Sequence, residues 1–521
     1  MDVYKQNLYK EVAGFREIGH RFLRKELTVA EFKAASGGMG VYAQRGGEKF
    51  MIRLRIPSGI FDYNHFKLIG NYISKYNLEY VHFTTRQALQ LHDLDIDTLC
   101  DIMEDAIING LYSRGSGGNF PRNVSLSPLA GVDKEEAFDV TPYAKAAGAY
   151  LMDKITKYRL PRKLKIAFSS SGKDTANATL ADLGFIAQKQ GNKQFFKVYV
   201  GGGLGNNARL AVEIDELIRP SEVLDYVEAV LRIFMAEGDY ENKNRARLRY
   251  VCDRMGEDAF INCFKGHVKE VKETMNLKKV KGVRSIITNR EVLTENNMVL
   301  REKEVILQKQ PGLYTVEIHP PCGIISGKEF LMLMDCLENQ EYKDVRLSMT
   351  ESIYIRNLKE SGVLGVLKIY EKIKRKENIY KSVTCIGVPT CQIGILNSRE
   401  LLHSTIIYLE EKKIPLQYLP SIYVSGCFNS CGRHQVSPLG FAGGKKRVEG
   451  QIEEVFEIHV GGKVLEGGTR FGKVLGQIKS SEVPVFMNEL GCRLYELKKE
   501  YSEYIEEDIK DFEHLVSTYL V

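Results

Sequence analysis

The chain has 521 residues, of which 44% are hydrophobic and 27% charged, so it can build several domains with ample core. Its net charge of +6 is mild, and the basic residues form neither a long block nor an aromatic-studded strip, which argues against a nucleic-acid partner. No run of roughly eighteen apolar residues and no basic-then-apolar start occurs, so neither a membrane span nor a signal peptide is expected.

From a charged helical start, the chain shows one pattern twice, about 260 residues apart. FMIRLRIPSGIF (Phe50 to Phe61) reads as an alternating strand, a Pro-Gly turn and then an apolar helix, and LYTVEIHPPCGII (Leu313 to Ile325) repeats it. HFTTRQALQLHDL (His82 to Leu94) and LSMTESIYIRNL (Leu347 to Leu358) both read as Thr-centred strands after a helix. NVSLSPLAG (Asn123 to Gly131) matches SVTCIGVPTCQIG, and LPRKLKIAFSSSG (Leu160 to Gly172) matches LPSIYVSGCFNSCG. FKVYVGGGLG matches FEIHVGGKV; IRPSEV matches IKSSEV, where Ser221 and Ser481 read as helix N-caps followed by Glu. The same order in both halves predicts an α+β fold with internal duplication: two copies of a two-part module, divided as 1–118, 119–270, 271–378 and 379–521. Two related halves would form a pseudo-two-fold interface, a natural place to enclose a large planar cofactor.

Several cations fall where an apolar pattern predicts otherwise. Arg53 and Arg55 alternate along MIRLRI and so share one face. Arg86 lies in TTRQ, Arg122 in NFPRNV, and Arg162, Lys163 and Lys165 in LPRKLK. Each alone reads equally well as a solvated strand face or a basic edge that resists aggregation. GGGLG at 201–205 follows a strand but lacks the last glycine of G-x-G-x-x-G, since Asn206 stands there. SSSGKD at 169–174 is no phosphate loop, because Ala167 occupies the place of the first glycine. No histidine pair has metal-ligand spacing.

Ten cysteines are present, and four stand in two pairs: Cys385 and Cys391 in TCIGVPTC, Cys427 and Cys431 in SGCFNSCGR. Four thiolates delivered from turns suit a cubane iron–sulfur cluster, in which each iron takes one external sulfur. Zinc also accepts four thiolates, but the five-residue gap of the first pair fits it poorly. The other six cysteines suggest no disulfide framework, and an oxygen-sensitive cluster implies a reducing cytoplasm.

C-x5-C, about three dozen residues, then G-C-x-N-x-C-G-R resembles the cluster motif of the sirohaem-containing sulfite and nitrite reductases. The resemblance extends from about residue 35 to the C-terminus and implies ferredoxin-like parts with two larger mixed α/β domains around a central cofactor site. It implies a [4Fe–4S] cluster on Cys385, Cys391, Cys427 and Cys431, with Cys431 also the axial ligand of the sirohaem iron. Sirohaem carries eight carboxylates and its substrates are small oxyanions, so fixed cations are needed. By resemblance Arg53, Arg122, Lys163 and Lys165 surround the substrate. Arg55, Arg86, Arg162 and Asn429 hold the macrocycle's carboxylates or the substrate's surroundings, and Gly202 and Gly203 allow close backbone approach to the haem. Two departures stand out: Phe428 replaces a proline found in many members, and Ser127 replaces a cysteine found in several, leaving an ordinary turn hydroxyl as its reading.

The K-x-K pattern of Lys163 and Lys165 resembles sulfite-reducing members, whereas plant-type nitrite reductases have Asn at the second position. A second ammonium suits sulfite, partly a dianion at neutral pH, whose S–O bonds break only with proton delivery. The resemblance therefore implies six-electron reduction of sulfite to sulfide, with nitrite reduction to ammonia as the alternative. No flavin or nicotinamide domain is visible, so electrons would come from a separate protein, a ferredoxin or a flavoprotein subunit. A non-catalytic cluster or zinc protein is the rival from another class, and it leaves the cations of the first half unexplained.

Overall fold

The computed structural model describes residues 3–282, 302–371 and 377–521. It forms two compact units: the described residues of Met1–Gly203, Arg209–Ile318 and Ile325–Lys372, and those of Leu204–Ala208, His319–Ile324 and Ile373–Val521. Among the described residues no helix is long and apolar enough to cross a membrane.

The duplication is real and extends to backbone detail. One five-stranded sheet runs Val41–Ala43, Phe50–Arg55, Ala88–Leu94, Tyr80–Phe83 and Ile324–Ser326; a second runs Val305–Leu307, Tyr314–Ile318, Ile353–Leu358, Asp344–Leu347 and Ile60–Asp62. The last strand of each comes from the other copy, so each sheet's edge is closed by exchange. Ile60, Phe61 and Asp62 pair antiparallel with Arg346, Val345 and Asp344. Helices Tyr63–Tyr76 and Gly327–Glu338 meet beside this exchange, with the Phe66 and Phe330 rings stacked at 4.2 Å. Gly70 lets the two helices approach closely there, with Met334 Sδ 2.4 Å from where a Cβ would lie.

The Pro-Gly turns also match: Ser58 and Cys322 have φ of 53° and 55°, and the glycines that follow have 70° and 67°. The stretches expected as Thr-centred strands are instead hairpins. Thr84 N–H bonds to Ala88 O, and Ser348 N–H to Ser352 O, around Gln87 and Glu351, both with positive φ. Gln87 is fully buried and ties three segments together. Its Nε2 donates to Leu126 O at 2.6 Å and Leu347 O at 2.7 Å, while its Oε1 accepts from Leu126 N at 2.9 Å. Gln87→Ala strands these buried backbone groups and should cost about 3 kcal/mol in a urea melt; a loss no larger than that of a surface substitution would refute this account.

The larger sheets repeat as faithfully. Ser125–Leu126, Ile166–Ser169, Leu183–Gln190, Lys193–Val200 and Val212–Ile218 form one, in the first unit. Val383–Thr384, Ile422–Ser425, Leu439–Val448, Gln451–Val460 and Lys473–Lys479 form the other, in the second. In both, the first two pairings are parallel and the last two antiparallel. Alternating apolar residues fill each core: Phe168, Phe185 and Phe196 against helix Val223–Glu237, and Phe441, Phe456 and Ile458 with helix Val483–Leu497.

The serine N-caps expected in IRPSEV and IKSSEV do not form. Ser221 and Ser481 lie inside the short 3-10 turns Pro220–Glu222 and Ser480–Glu482, and the helices begin at Val223 and Val483 without a side-chain cap. In the first copy the Glu222 carboxylate accepts the Arg219 N–H at 2.8 Å instead, because the tight turn brings that amide within reach.

Candidate active site

In the second unit the four cysteines lie in the loops that follow the parallel strands Val383–Thr384 and Ile422–Ser425. Cys385 follows Val383–Thr384, and its N–H bonds to Val424 O at 3.1 Å. Its sulfur accepts the Gly426 N–H at 3.2 Å and lies 3.2 Å from Ser398 Oγ, which also donates to Cys385 O at 2.7 Å. Cys391 is held by its N–H to Gly387 O at 2.7 Å, and Asn429 Nδ2 donates to Cys427 Sγ at 3.3 Å. Gly387 and Gly426 are dictated by crowding: a Cβ would stand 2.7 Å from Ser398 Oγ in one and 2.3 Å from Leu396 O in the other. Phe428 lies over Gly444, with ring carbons 3.5 Å from where its Cβ would be.

Burial, reinforced by the nearby Cys431 thiol, pushes the Cys385 thiol up to about 12. Cys391 is raised by burial too, with Cys431 and Cys427 adding to the effect. Positive charge bound beside these groups favours their thiolates. Among the described residues no three His, Cys, Asp or Glu side chains gather closely enough for a single metal ion. A cubane instead spreads four thiolates over four irons, and amide N–H groups directed at sulfur stabilise it. The residues fit that group.

The matching loops of the first copy carry oxygen where these carry sulfur. Ser127 N–H bonds to Phe168 O at 3.0 Å, and Ser127 Oγ accepts the Ser170 N–H at 3.1 Å, the same two bonds made at Cys385. Thr175 Oγ1 donates to Ser127 Oγ at 2.8 Å, which confirms a turn-bracing hydroxyl. Asp174 fills the SSSGKD loop from within. Its carboxylate accepts from Ser169 Oγ, Ala178 N, Thr179 N and Thr179 Oγ1, tying the loop to the 3-10 turn that follows it.

The cations gather in the first unit. Arg53 Nη1 donates to Ser116 O at 3.2 Å, and its Nη2 and Nε lie 2.7 and 3.0 Å from the Gln90 side-chain amide, whose oxygen accepts from them once the amide is turned to face them. Arg55 Nη1 donates to Pro121 O at 2.8 Å, and Arg86 Nη2 to Asn123 O at 2.9 Å. Arg122 is the most committed to backbone, donating to Gly115 O at 3.1 Å, Gly118 O at 2.8 Å, Gly117 O and Phe120 O. Burial lowers Arg122 to about 9; Tyr42 opposes this, while Arg53, Arg55 and Arg162 add to it, and the guanidinium still keeps its charge at neutral pH.

LPRKLK is not the strand edge its pattern suggests; the strand begins only at Ile166, with one isolated bridge from Leu164 to Pro121. Arg162, Lys163 and Lys165 are each half-buried. Lys165 is pushed well below the ordinary lysine range by burial and then by Arg86, Arg247 and Lys163, with Asp182 opposing.

Three residues carried no sequence motif: Asp182, Arg247 and Arg249. The Asp182 carboxylate is fully buried, accepts Arg247 Nη2 at 3.0 Å on both oxygens, and accepts the Lys165 backbone N–H at 2.8 Å. Alternating arginines at 245, 247 and 249 in NRARLRY were the available signal. Gly203 makes room for them, since its Cβ would lie 2.8 Å from Arg249 Nη1 and 3.1 Å from Arg247 Nη2; Gly202 is equally constrained, 2.7 Å from Ala181 O. Burial lowers both Arg162 and Arg249, with Arg247 the next cause in each. This crowding of positive charge around one carboxylate suits a polyanionic ligand.

Residues 42–107 match the nitrite/sulfite reductase ferredoxin-like half domain, and residues 117–272 match the nitrite and sulphite reductase 4Fe-4S domain. The chain belongs to the nitrite and sulfite reductase family. Both matches fall in the first copy, whereas the four cysteines lie in the second. The reductase is 27% identical to a ferredoxin–nitrite reductase of Leptolyngbya laminosa over 82% of this chain and 83% of that protein. It is 24% identical to sulfite reductase [ferredoxin] 1 of Mycolicibacterium paratuberculosis, over 87% and 80%. The solved structure of the Mycobacterium tuberculosis NirA protein shares its fold, with a TM-score of 0.76 at 21% identity over 92% and 91% of the two chains. The reductase is an oxidoreductase whose cofactors are a sirohaem and a [4Fe–4S] cluster.

Proposed function

We propose that the reductase carries out the six-electron reduction of sulfite to sulfide in the cytoplasm, drawing electrons from a ferredoxin, the donor named for both relatives above. When bound, the cluster and the sirohaem supply those electrons one at a time. Cys385, Cys391, Cys427 and Cys431 would hold the cluster, and Cys431 would also be a ligand of the sirohaem. Arg55, Arg86, Arg162 and Asn429 neutralise or brace the macrocycle, and Gly202 and Gly203 admit it. Arg53, Arg122, Lys163 and Lys165 bind the oxyanion, and the two lysines deliver protons to its departing oxygens.

The observation that carries the sulfite reading is Lys165, a second ammonium that burial, and then the neighbouring cations, make readier to give up its proton than an ordinary lysine. Nitrite, a monoanion, has less need of it. Nitrite reduction to ammonia is the second reading, favoured by the name of the Leptolyngbya relative. An anaerobic dye-linked assay of the purified protein, with its visible spectrum recorded, separates them. A sirohaem spectrum with higher catalytic efficiency on sulfite is expected. The same spectrum with nitrite strongly preferred would overturn the substrate, and protein without a haem band, made where sirohaem is available, would overturn the enzyme.

A further inference from the structure

Asp182 joins three segments that are far apart in the chain. Its Oδ2 accepts the Lys165 N–H at 2.8 Å, both carboxylate oxygens accept Arg247 Nη2 at 3.0 Å, and its own carbonyl accepts the Gly201 N–H at 3.0 Å. The ladder continues beside it, with Leu183 N–H bonded to Lys165 O at 3.2 Å. Asp182 is 0% exposed and Arg247 6%, so water does not weaken the pair. Arg247 passes close to Gly203, where a Cβ would lie 3.1 Å from its Nη2.

From this geometry we infer that Asp182 and Arg247 are positioning residues for Lys165: the pair fixes the backbone from which the lysine enters the oxyanion site. The inference rests on the placement of Lys165 at the oxyanion proposed above. Besides burial, the charged groups that act on Lys165 are Arg86 from the Thr84–Gln87 turn, Arg247 from the segment before helix Leu248–Met255, Lys163 from its own segment, and Asp182 just before strand Leu183–Gln190. The cations among them disfavour the ammonium and Asp182 favours it, so the two members of the pair act on the proton in opposite directions while holding each other in place. A general acid works best when its pKa lies near the working pH, and a lysine reaches that range only through burial and like charges.

The sign of the effect gives the test. Equilibrium dissociation constants for sulfite and nitrite are read from the sirohaem spectrum of the purified holoenzyme across neutral and alkaline pH. The free anion's own titration is common to every variant, so differences between variants report the protein. In the parent, affinity falls as pH rises through the titration of Lys165. Arg247→Met should move that fall to higher pH and Asp182→Asn to lower pH, each by about one unit, while Arg247→Lys stays near the parent. Lys165→Met should abolish the fall. A merely structural role would weaken binding in both variants without opposite displacements. Displacement in one common direction, no displacement, or an alkaline fall that persists in Lys165→Met would overturn the inference. If Asp182→Asn does not fold, Arg247→Met and Arg247→Lys decide it alone. Should the parent bind nitrite far better than sulfite, the substrate reading fails, and the displacements are then read with nitrite.

Discussion

Cys385→Ser should remove the iron–sulfur cluster and, with it, all reductase activity. Cys385 stands at the end of a parallel strand, where its backbone is fixed by Val424 O and its sulfur by the Gly426 N–H. A serine oxygen would keep both contacts, as Ser127 does in the first copy, so the fold should survive. What is lost is the soft ligand, because an alcohol does not ionise at neutral pH and binds iron poorly. The expected loss exceeds the ~10–100-fold that removing a supporting partner of a metal ligand costs. Iron and acid-labile sulfide content, the visible spectrum and dye-linked turnover measure it, with Cys263→Ser on helix Glu257–Thr274 as the control. A Cys385→Ser protein that keeps its full iron content and activity would remove this residue from the cluster.

The second large effect is selective. Lys165→Asn should lower catalytic efficiency with sulfite by roughly 10²–10⁴-fold, the range for loss of a positioned proton donor, and with nitrite by much less. Asparagine keeps a hydrogen-bond donor but neither the charge nor the transferable proton. The backbone bond to Asp182 does not depend on the side chain, so the segment should stay in place. The pH profile adds a signature. Because burial, and then its cationic neighbours, lower Lys165, its ammonium is lost at lower pH than an ordinary lysine's, and parent turnover of sulfite should fall early on the alkaline side. That limb should vanish in the variant. Equal losses with both anions, or no loss with sulfite, would contradict the role.

The duplicated sheets were legible because strand alternation and turn residues are local signals that recur in the same order. The hairpins at Gln87 and Glu351 were not, because neither is a glycine and nothing in TTRQ or MTES announces a positive φ. Strand exchange was equally hidden: the pattern of Ile60–Asp62 specifies a strand but not the partner 284 residues away that it meets. The serine caps failed for a related reason, since a 3-10 turn moved the helix start past the serine.

The sequence by itself determined the chemistry of the sulfur site. Four cysteines in two turn-borne pairs restrict the ligand through their number and softness, whatever the surrounding fold. It also placed the cations on identifiable segments, yet each could have been a solvated face. Only the tertiary structure decided otherwise, by bringing Lys165, Asp182 and Arg247 together across separations of 17 and 65 residues. A charge acquires a pKa, a direction and a partner from what surrounds it in space, and those surroundings are contributed by segments that share no local pattern.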